Sequence, residues 1–179
     1  MNFQFNDGGR EAAGYKGKTG DCVCRSIAIA TGRPYKEIYE RLAKGNASQR
    51  SSKNDRRSKT THKKETAAHG IFVTRQWFKD YMKELGFEWI ATMQIGQGCK
   101  VHLNENELPK GRLVVSVSRH YTAVIDGVIN DTYNPADRGA TVYGLGYSDL
   151  PKGAKLMENG NGYVYNPERC VYGYWKLKN

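Results

Sequence analysis

Hydrophobic residues recur at helical spacing in the first half of the chain. Val23, Ile27 and Ala30 follow a turn that ends in Asp21, a residue type favoured at helix N-caps. The spacing predicts a first helix that begins after Asp21 and ends at Gly32, where glycine is a common stop signal.

Two further helices are predicted by the same period. The second begins at Tyr35, and its apolar face comprises Tyr35, Ile38, Tyr39 and Leu42. The third spans residues 74 to 85, with Trp77, Tyr81 and Leu85 on one face and Gly86 as its end. The first half of the chain is therefore predicted to be helical.

The second half changes to strand-like runs. Residues 113–118, 121–125 and 128–133 are rich in β-branched and apolar side chains. Asp126 and Gly127 separate the last two runs and predict a two-residue hairpin turn, because a type I′ turn needs positive φ at both central positions. Closing strands are expected in the aromatic tail that contains Tyr163, Tyr165, Tyr172, Tyr174 and Trp175.

Helices followed by strands indicate an α+β fold, and 179 residues suit one domain. The net charge of +10 is not evenly distributed. Residues 44 to 64 contain eight Lys and Arg and one acid, so this segment carries +7 of the total. Because it also lacks large aliphatic residues and an amphipathic period, we expect a basic, mobile insertion at about residues 45–66.

The chain shows no secretory signal and no apolar run of the ~20 residues that a membrane-spanning helix needs. We therefore expect a cytoplasmic protein without membrane partners. The four cysteines at positions 22, 24, 99 and 170 are then expected to stay reduced, with Cys170 in the core.

Cys22 is the best-placed nucleophile among these thiols. It occupies the predicted first position of a helix, where free amides and the helix dipole favour the thiolate form. A thiolate nucleophile is normally paired with an imidazole, and that imidazole with an acceptor that fixes its tautomer. Of four histidines, only His120 opens a strand of the predicted core.

The predicted hairpin register selects the third member of such a site. A two-residue turn pairs Ile125 with Val128, and it places Asp131 diagonal to His120 on the same face of the sheet. Asp126 belongs to the turn, and Asn130 points to the opposite face. Local geometry therefore favours Cys22, His120 and Asp131 as one constellation.

Two segments resemble the signature blocks of papain-like cysteine peptidases, particularly the compact forms of phages and bacteria. Residues 20–32, GDCVCRSIAIATG, contain the cysteine, and residues 120–127, HYTAVIDG, contain the histidine. They are also similar to the peptidase domains that trim double-glycine leader peptides. The resemblance implies a papain-like fold in which N-terminal helices carry the cysteine and pack on a C-terminal antiparallel sheet. It implies Cys22 as nucleophile, His120 as general base and Asp131 as its orienting partner, with no cofactor and no metal.

The oxyanion donor departs from the papain pattern. Papain relatives have a glutamine six residues before the nucleophile, whereas this chain has Lys16. Lys16 is one candidate donor, and Thr19 together with the Cys22 amide is another. The leading expectation is a cysteine hydrolase that cleaves peptide or isopeptide amides.

Two other functions remain open at this point. The first is a catalytically silent binding module in which the basic insertion engages nucleic acid or an acidic protein partner. The second is a zinc-stabilised domain, since Cys22, Cys24, Cys99 and His102 supply three thiols and an imidazole. However, Cys22 and Cys24 are closer in sequence than ligands in most structural zinc sites.

Overall fold

The computed structural model describes residues 1–17, 19–48, 65–137, 139–146, 148–151, 154–165 and 167–178. Within these ranges the chain forms three helices and nine strands. The helices are α1 (Cys22–Thr31), α2 (Tyr35–Ala47) and α3 (Gln76–Glu84). The strands are β1 (Asn2–Phe5), β2 (Phe87–Ala91), β3 (Arg112–Val117), β4 (His120–Ile125), β5 (Val128–Asp131), β6 (Thr141–Gly144), β7 (Lys155–Leu156), β8 (Gly162–Tyr165) and β9 (Val171–Leu177). None of the helices in the described ranges is long and apolar enough to cross a membrane.

Six strands form the main sheet in the order β1-β5-β4-β3-β9-β2, and β6-β8-β7 form a small second sheet. All neighbours in the main sheet are antiparallel except β1 and β5. The α+β class is confirmed. The expected order of helices before strands is wrong at the N-terminus, because β1 precedes the helices; β2 follows α3 and was not predicted.

The sheet separates two apolar cores. Val114 and Trp175 face the helices and pack with buried side chains of α1, α2 and α3. Neighbours of Val114 along β3, such as Leu113 and Val115, face the other side and pack with Leu103. Alternation along β3 thus buries both faces of the sheet, and α1 packs directly on β4.

The predicted helices are confirmed. Helix α1 begins at Cys22, and Gly32 ends it with a φ of 71°. Helix α2 begins at Tyr35, and α3 begins at Gln76, two residues later than expected. Asp21 lies at the N-cap position but makes no side-chain capping bond.

The β4–β5 hairpin has the predicted turn and register. Asp126 and Gly127 both have positive φ, 49° and 87°, as a type I′ turn requires. Ile125 pairs with Val128, and Ala123 pairs with Asn130. The Asp126 carboxylate accepts a hydrogen bond from the Gly111 amide at 2.9 Å, so it belongs to the turn as expected.

The ends of the expected basic insertion belong to the fold. Helix α2 continues through Ala47, and a Cβ at Gly45 would overlap the Trp77 ring, so these elements pack closely. The buried Asn46 amide donates to the carbonyls of Thr66 and Gly70. Helix α2 therefore extends past the expected start at about residue 45, and the insertion itself stays a prediction, because residues 49–64 lie outside the described residues.

The expectation that all four cysteines stay reduced is corrected by the structure. Cys99 and Cys170 form a disulfide, and Cys170 is half-buried at the entrance to β9 instead of lying in the core. The same two segments are also joined by an isolated β-bridge between His102 and Cys170. Cys22 and Cys24 are free thiols.

Candidate active site

Cys22 is the first residue of α1 and is half-buried. Because α1 packs on β4, the start of this helix lies beside His120, the first residue of that strand. The His120 ring and the Tyr121 backbone N–H lie near enough to the Cys22 thiol to lower its pKa. Two segments almost a hundred residues apart in sequence thus meet at one sulfur atom.

His120 is held from its other side by Asp131. The distance between His120 Nε2 and Asp131 Oδ2 is 2.7 Å, and both residues are buried. The second carboxylate oxygen of Asp131 accepts the backbone N–H of Thr132 at 2.7 Å. Because Nε2 is engaged by the carboxylate, Nδ1 is the ring nitrogen left for the thiol.

The pKa values of Cys22 and His120 shift in opposite directions. Burial alone would raise the pKa of the Cys22 thiol, but the hydrogen bond to His120 and the His120 charge lower it below its ordinary value. Burial would lower the pKa of His120, but its hydrogen bonds with Asp131 and Cys22 raise it to about 9. Both shifts favour a thiolate paired with an imidazolium.

Cys24 lies two residues beyond Cys22 in a different environment. Its side chain is fully buried, and the sulfur is 3.9 Å from the Tyr35 carbonyl oxygen. Burial and the nearby Asp21 charge raise the pKa of the Cys24 thiol well above its ordinary value. The thiols of α1 are therefore chemically distinct.

Asp21 fixes the start of α1 through a buried charge cluster. Its carboxylate oxygens lie 3.0 Å from Arg10 Nε and 3.1 Å from Arg25 Nη1. The Tyr35 hydroxyl donates a further hydrogen bond to the same carboxylate. These contacts attach the N-terminal loop and α2 to the residue immediately before Cys22. Sequence reasoning assigned Asp21 only a capping role. The i, i+4 spacing to Arg25 was a signal that could have found one partner, whereas the fold brings Arg10 to the carboxylate.

A cleft of about 1220 Å³ opens at Cys22 and His120. Its floor and rim include the aromatic side chains of Trp89, Tyr133, Tyr172 and Trp175. The Tyr133 ring packs against His120 with centroids 4.9 Å apart, and about half of Tyr133 remains exposed. The candidate thiol site therefore lies in a groove large enough for several residues of a polypeptide.

The two side chains considered as oxyanion donors lie differently in the structure. Lys16 is exposed and is not among the residues that line the cleft. Thr19 lines the cleft, but its hydroxyl donates to the Ala68 carbonyl at 2.9 Å. The Cys22 amide lies at the first position of α1, where backbone N–H groups have no partner within the helix.

The structure does not assemble the four residues considered as zinc ligands. Cys99 is bonded to Cys170, and Cys24 is buried against Tyr35. In the part of the chain that the structure describes, one other group has ligand-like spacing, formed by His102, Glu107 and Glu168. There, Glu107 already accepts the His102 backbone N–H and pairs with its ring.

Several cleft residues were not predicted from the sequence. Arg25 lies one helical turn beyond Cys22, and its i, i+3 spacing was the signal that could have found it. Lys79 and Lys83 line the cleft from α3, where their i, i+4 spacing puts them on one face. Trp89 was missed because β2 was not predicted.

Comparison of the chain with protein-family models, curated proteins and solved structures finds no match.

Proposed function

We propose that this protein is a cysteine hydrolase that cleaves peptide or isopeptide amide bonds. The observation that carries the proposal is the chain of contacts from Cys22 through His120 to Asp131, in which Nε2 of the histidine lies 2.7 Å from the carboxylate. A thiol, an imidazole and an orienting carboxylate in this order are the components of nucleophilic acyl transfer.

The first half-reaction forms a thioester. The Cys22 thiolate attacks the carbonyl carbon of the scissile amide, and the carbonyl oxygen takes up the negative charge. The His120 imidazolium then donates its proton to the departing nitrogen, which leaves as an amine when the C–N bond breaks. Asp131 holds the ring in place and stabilises its positive charge during this transfer.

The second half-reaction releases the acid. His120, now neutral, takes a proton from water while the water oxygen attacks the thioester carbonyl. The carbon–sulfur bond breaks, and Cys22 returns as a thiolate beside the imidazolium. We assign the Cys22 backbone N–H, at the first position of α1, as the donor to the oxyanion in both steps.

The arrangement of elements supports a papain-like assignment. Helix α1 carries the cysteine at its N-terminus and packs on an antiparallel strand pair that carries the histidine and the carboxylate. This is the arrangement implied by the resemblance of residues 20–32 and 120–127 to papain-like peptidases. The size of the cleft is consistent with a polypeptide substrate.

The test compares wild-type protein with Cys22→Ala and His120→Ala on a mixed pool of internally quenched peptides. We expect both variants to lose at least about a hundredfold in cleavage rate, because each removes a reacting group. Cys24→Ala is the matched control, since it makes the same change two positions along α1 and should retain activity. Full cleavage by Cys22→Ala would disprove the proposal.

A further inference from the structure

The cleft around Cys22 is lined by charge of one sign. Four cationic side chains line it, from Arg25, Lys79, Lys83 and Arg119, whereas no aspartate or glutamate is among the described residues that line it. The rest of the chain carries a net charge of only +3 once the segment 44–64, with its +7, is set aside from the total of +10. The positive lining is thus a local property of the cleft.

These charges are not neutralised by neighbouring acids. Asp21 is shared between Arg10 and Arg25, so that cluster retains an excess positive charge. Lys79, Lys83 and Arg119 form no ion pair with any other residue in the described ranges, and all three are exposed. Exposed cations without partners are available to a bound anion.

The exposed cations lie at two places along the cleft, one beside His120 and the other on α3. Arg119 directly precedes His120, at the turn between β3 and β4. Lys79 and Lys83 project from α3, which packs on β2, and β2 is three strands away from β4 in the main sheet. Three strand spacings amount to roughly 14 Å, about the length of four residues of extended peptide.

Aromatic side chains lie between the two groups of cations. Trp89 on β2 packs on Trp175 of β9 with ring centroids 5.2 Å apart, and 40% of Trp89 is exposed. The Trp89 ring lies over β9 at Gly173, and a Cβ at residue 173 would overlap that ring. The floor between α3 and Cys22 is therefore broad, apolar and edged by lysines.

We propose that the cleft selects acidic segments of polypeptide, with carboxylate side chains next to the scissile bond and about four residues from it. This inference rests on the proposed function and names its substrate class. Arg119 would contact the near carboxylate, Lys79 and Lys83 would contact the distant one, and apolar side chains between them would pack on Trp89. Opposite charge in a cleft strengthens binding and accelerates encounter.

The experiment uses internally quenched peptides of one scaffold, in which Glu, Gln or Lys occupies each position within five residues of the cleaved bond. With wild-type protein, kcat/KM should be about tenfold or more higher for Glu than for Gln at the preferred positions, and lowest for Lys. The preference should weaken as salt is raised.

Charge reversal in the cleft provides the variant test. K79E/K83E should lose about tenfold or more in kcat/KM for the peptide with the distant Glu and recover activity on the matching Lys peptide. K36E/K155E makes the same total charge change at exposed residues outside the cleft, and it should leave both rates unchanged. Equal rates for Glu and Lys peptides in wild-type protein would overturn the inference while leaving the hydrolase proposal intact.

Binding by the Cys22→Ala variant separates the two proposals. If no peptide is cleaved by wild-type protein, but Cys22→Ala binds the fluorescein-labelled Glu peptide and K79E/K83E abolishes that binding, acidic selection stands and the hydrolase proposal fails. A twenty-nucleotide oligothymidine added as competitor tests the other class of polyanion. Oligonucleotide binding that is tighter than binding of the Glu peptide and is abolished by K79E/K83E would overturn the inference, because it would place the nucleic acid in the cleft.

Discussion

His120 and Asp131 meet through Nε2 and Oδ2 at 2.7 Å because their strands are joined by a turn of two residues. The turn sets the register of β4 against β5, and the register puts the two side chains on one face. If the pairing of β5 with β4 shifted by one residue, the Asp131 side chain would point to the face of the sheet opposite to that of His120. The type I′ turn at Asp126 and Gly127 therefore determines the geometry of the candidate site.

Asp131→Asn is expected to lower kcat/KM by about a hundredfold or more. The amide keeps the shape of the side chain but loses the charge that stabilises the imidazolium. Asp126→Asn is the matched control, because it makes the same substitution in the same hairpin and Asn-Gly preserves the type I′ turn. A similar loss in both variants would mean that hairpin stability, not the contact with His120, accounts for the effect.

The pH profile of Asp131→Asn gives an independent measurement. In wild-type protein the imidazolium loses its proton as pH rises through about 9, so kcat/KM should fall there. The contact with Asp131 helps to raise that pKa against the opposing effect of burial. Its removal should lower the pKa of His120 and so move the alkaline limb to lower pH. An unchanged alkaline limb would contradict this account.

Iodoacetamide should alkylate Cys22 at least about a hundredfold faster than Cys24 at neutral pH. The pKa of Cys22 is lowered by its contacts with His120, whereas burial raises the pKa of Cys24 and shields its sulfur. Peptide mapping by mass spectrometry after timed labelling measures the two rates. His120→Ala should slow Cys22 labelling, and equal slow labelling of both thiols would disprove an activated cysteine.

The features that could be predicted from the sequence are those that residues close in sequence determine. The hairpin was predictable because two adjacent residues, Asp126 and Gly127, set both the turn and the register. The parallel pairing of β1 with β5 was not, since only tertiary contacts between distant segments specify it. The same holds for the contact of Asp21 with Arg10, which joins the N-terminal loop to the start of α1, whereas the contact with Arg25 is local at i, i+4. The sequence pattern thus indicated the His120–Asp131 contact, but it contained no information on how α1 packs on β4.

Asp21→Asn should destabilise the protein by about 3 kcal/mol. The carboxylate is completely buried, and its replacement leaves the guanidinium groups of Arg10 and Arg25 without their counter-charge. Glu37→Gln is the comparison, since Glu37 pairs with Arg33 at the surface and such pairs contribute about 0–1 kcal/mol. Urea denaturation of the three proteins measures both differences. Equal stability of wild type and Asp21→Asn would show that the cluster makes no net contribution.

Gly45→Ala tests whether α2 continues into the segment expected to be an insertion. An added methyl would overlap the Trp77 ring, so we expect a loss of about 1–3 kcal/mol in the free energy of unfolding. Gly144→Ala is the control, because the space around Gly144 is open and its φ is ordinary. A gain in stability for Gly45→Ala, as expected for a glycine in an exposed helix, would place Trp77 elsewhere.

Replacement of residues 49–64 by a short Gly-Ser linker tests the binding-module alternative. The replacement must begin after Ser48, because Asn46 is buried and its side chain bonds the segment from Thr66 to Phe72. The 3.2 Å contact between Asn46 and the Thr66 carbonyl also means that a short linker can join the two ends. Seven basic residues and one acid are removed.

Labelling of Cys22 and peptide cleavage should persist, whereas salt-dependent binding of a labelled oligothymidine should weaken if this segment is a polyanion site. Loss of Cys22 reactivity in a variant that retains its thermal transition would instead make the segment part of the thiol site.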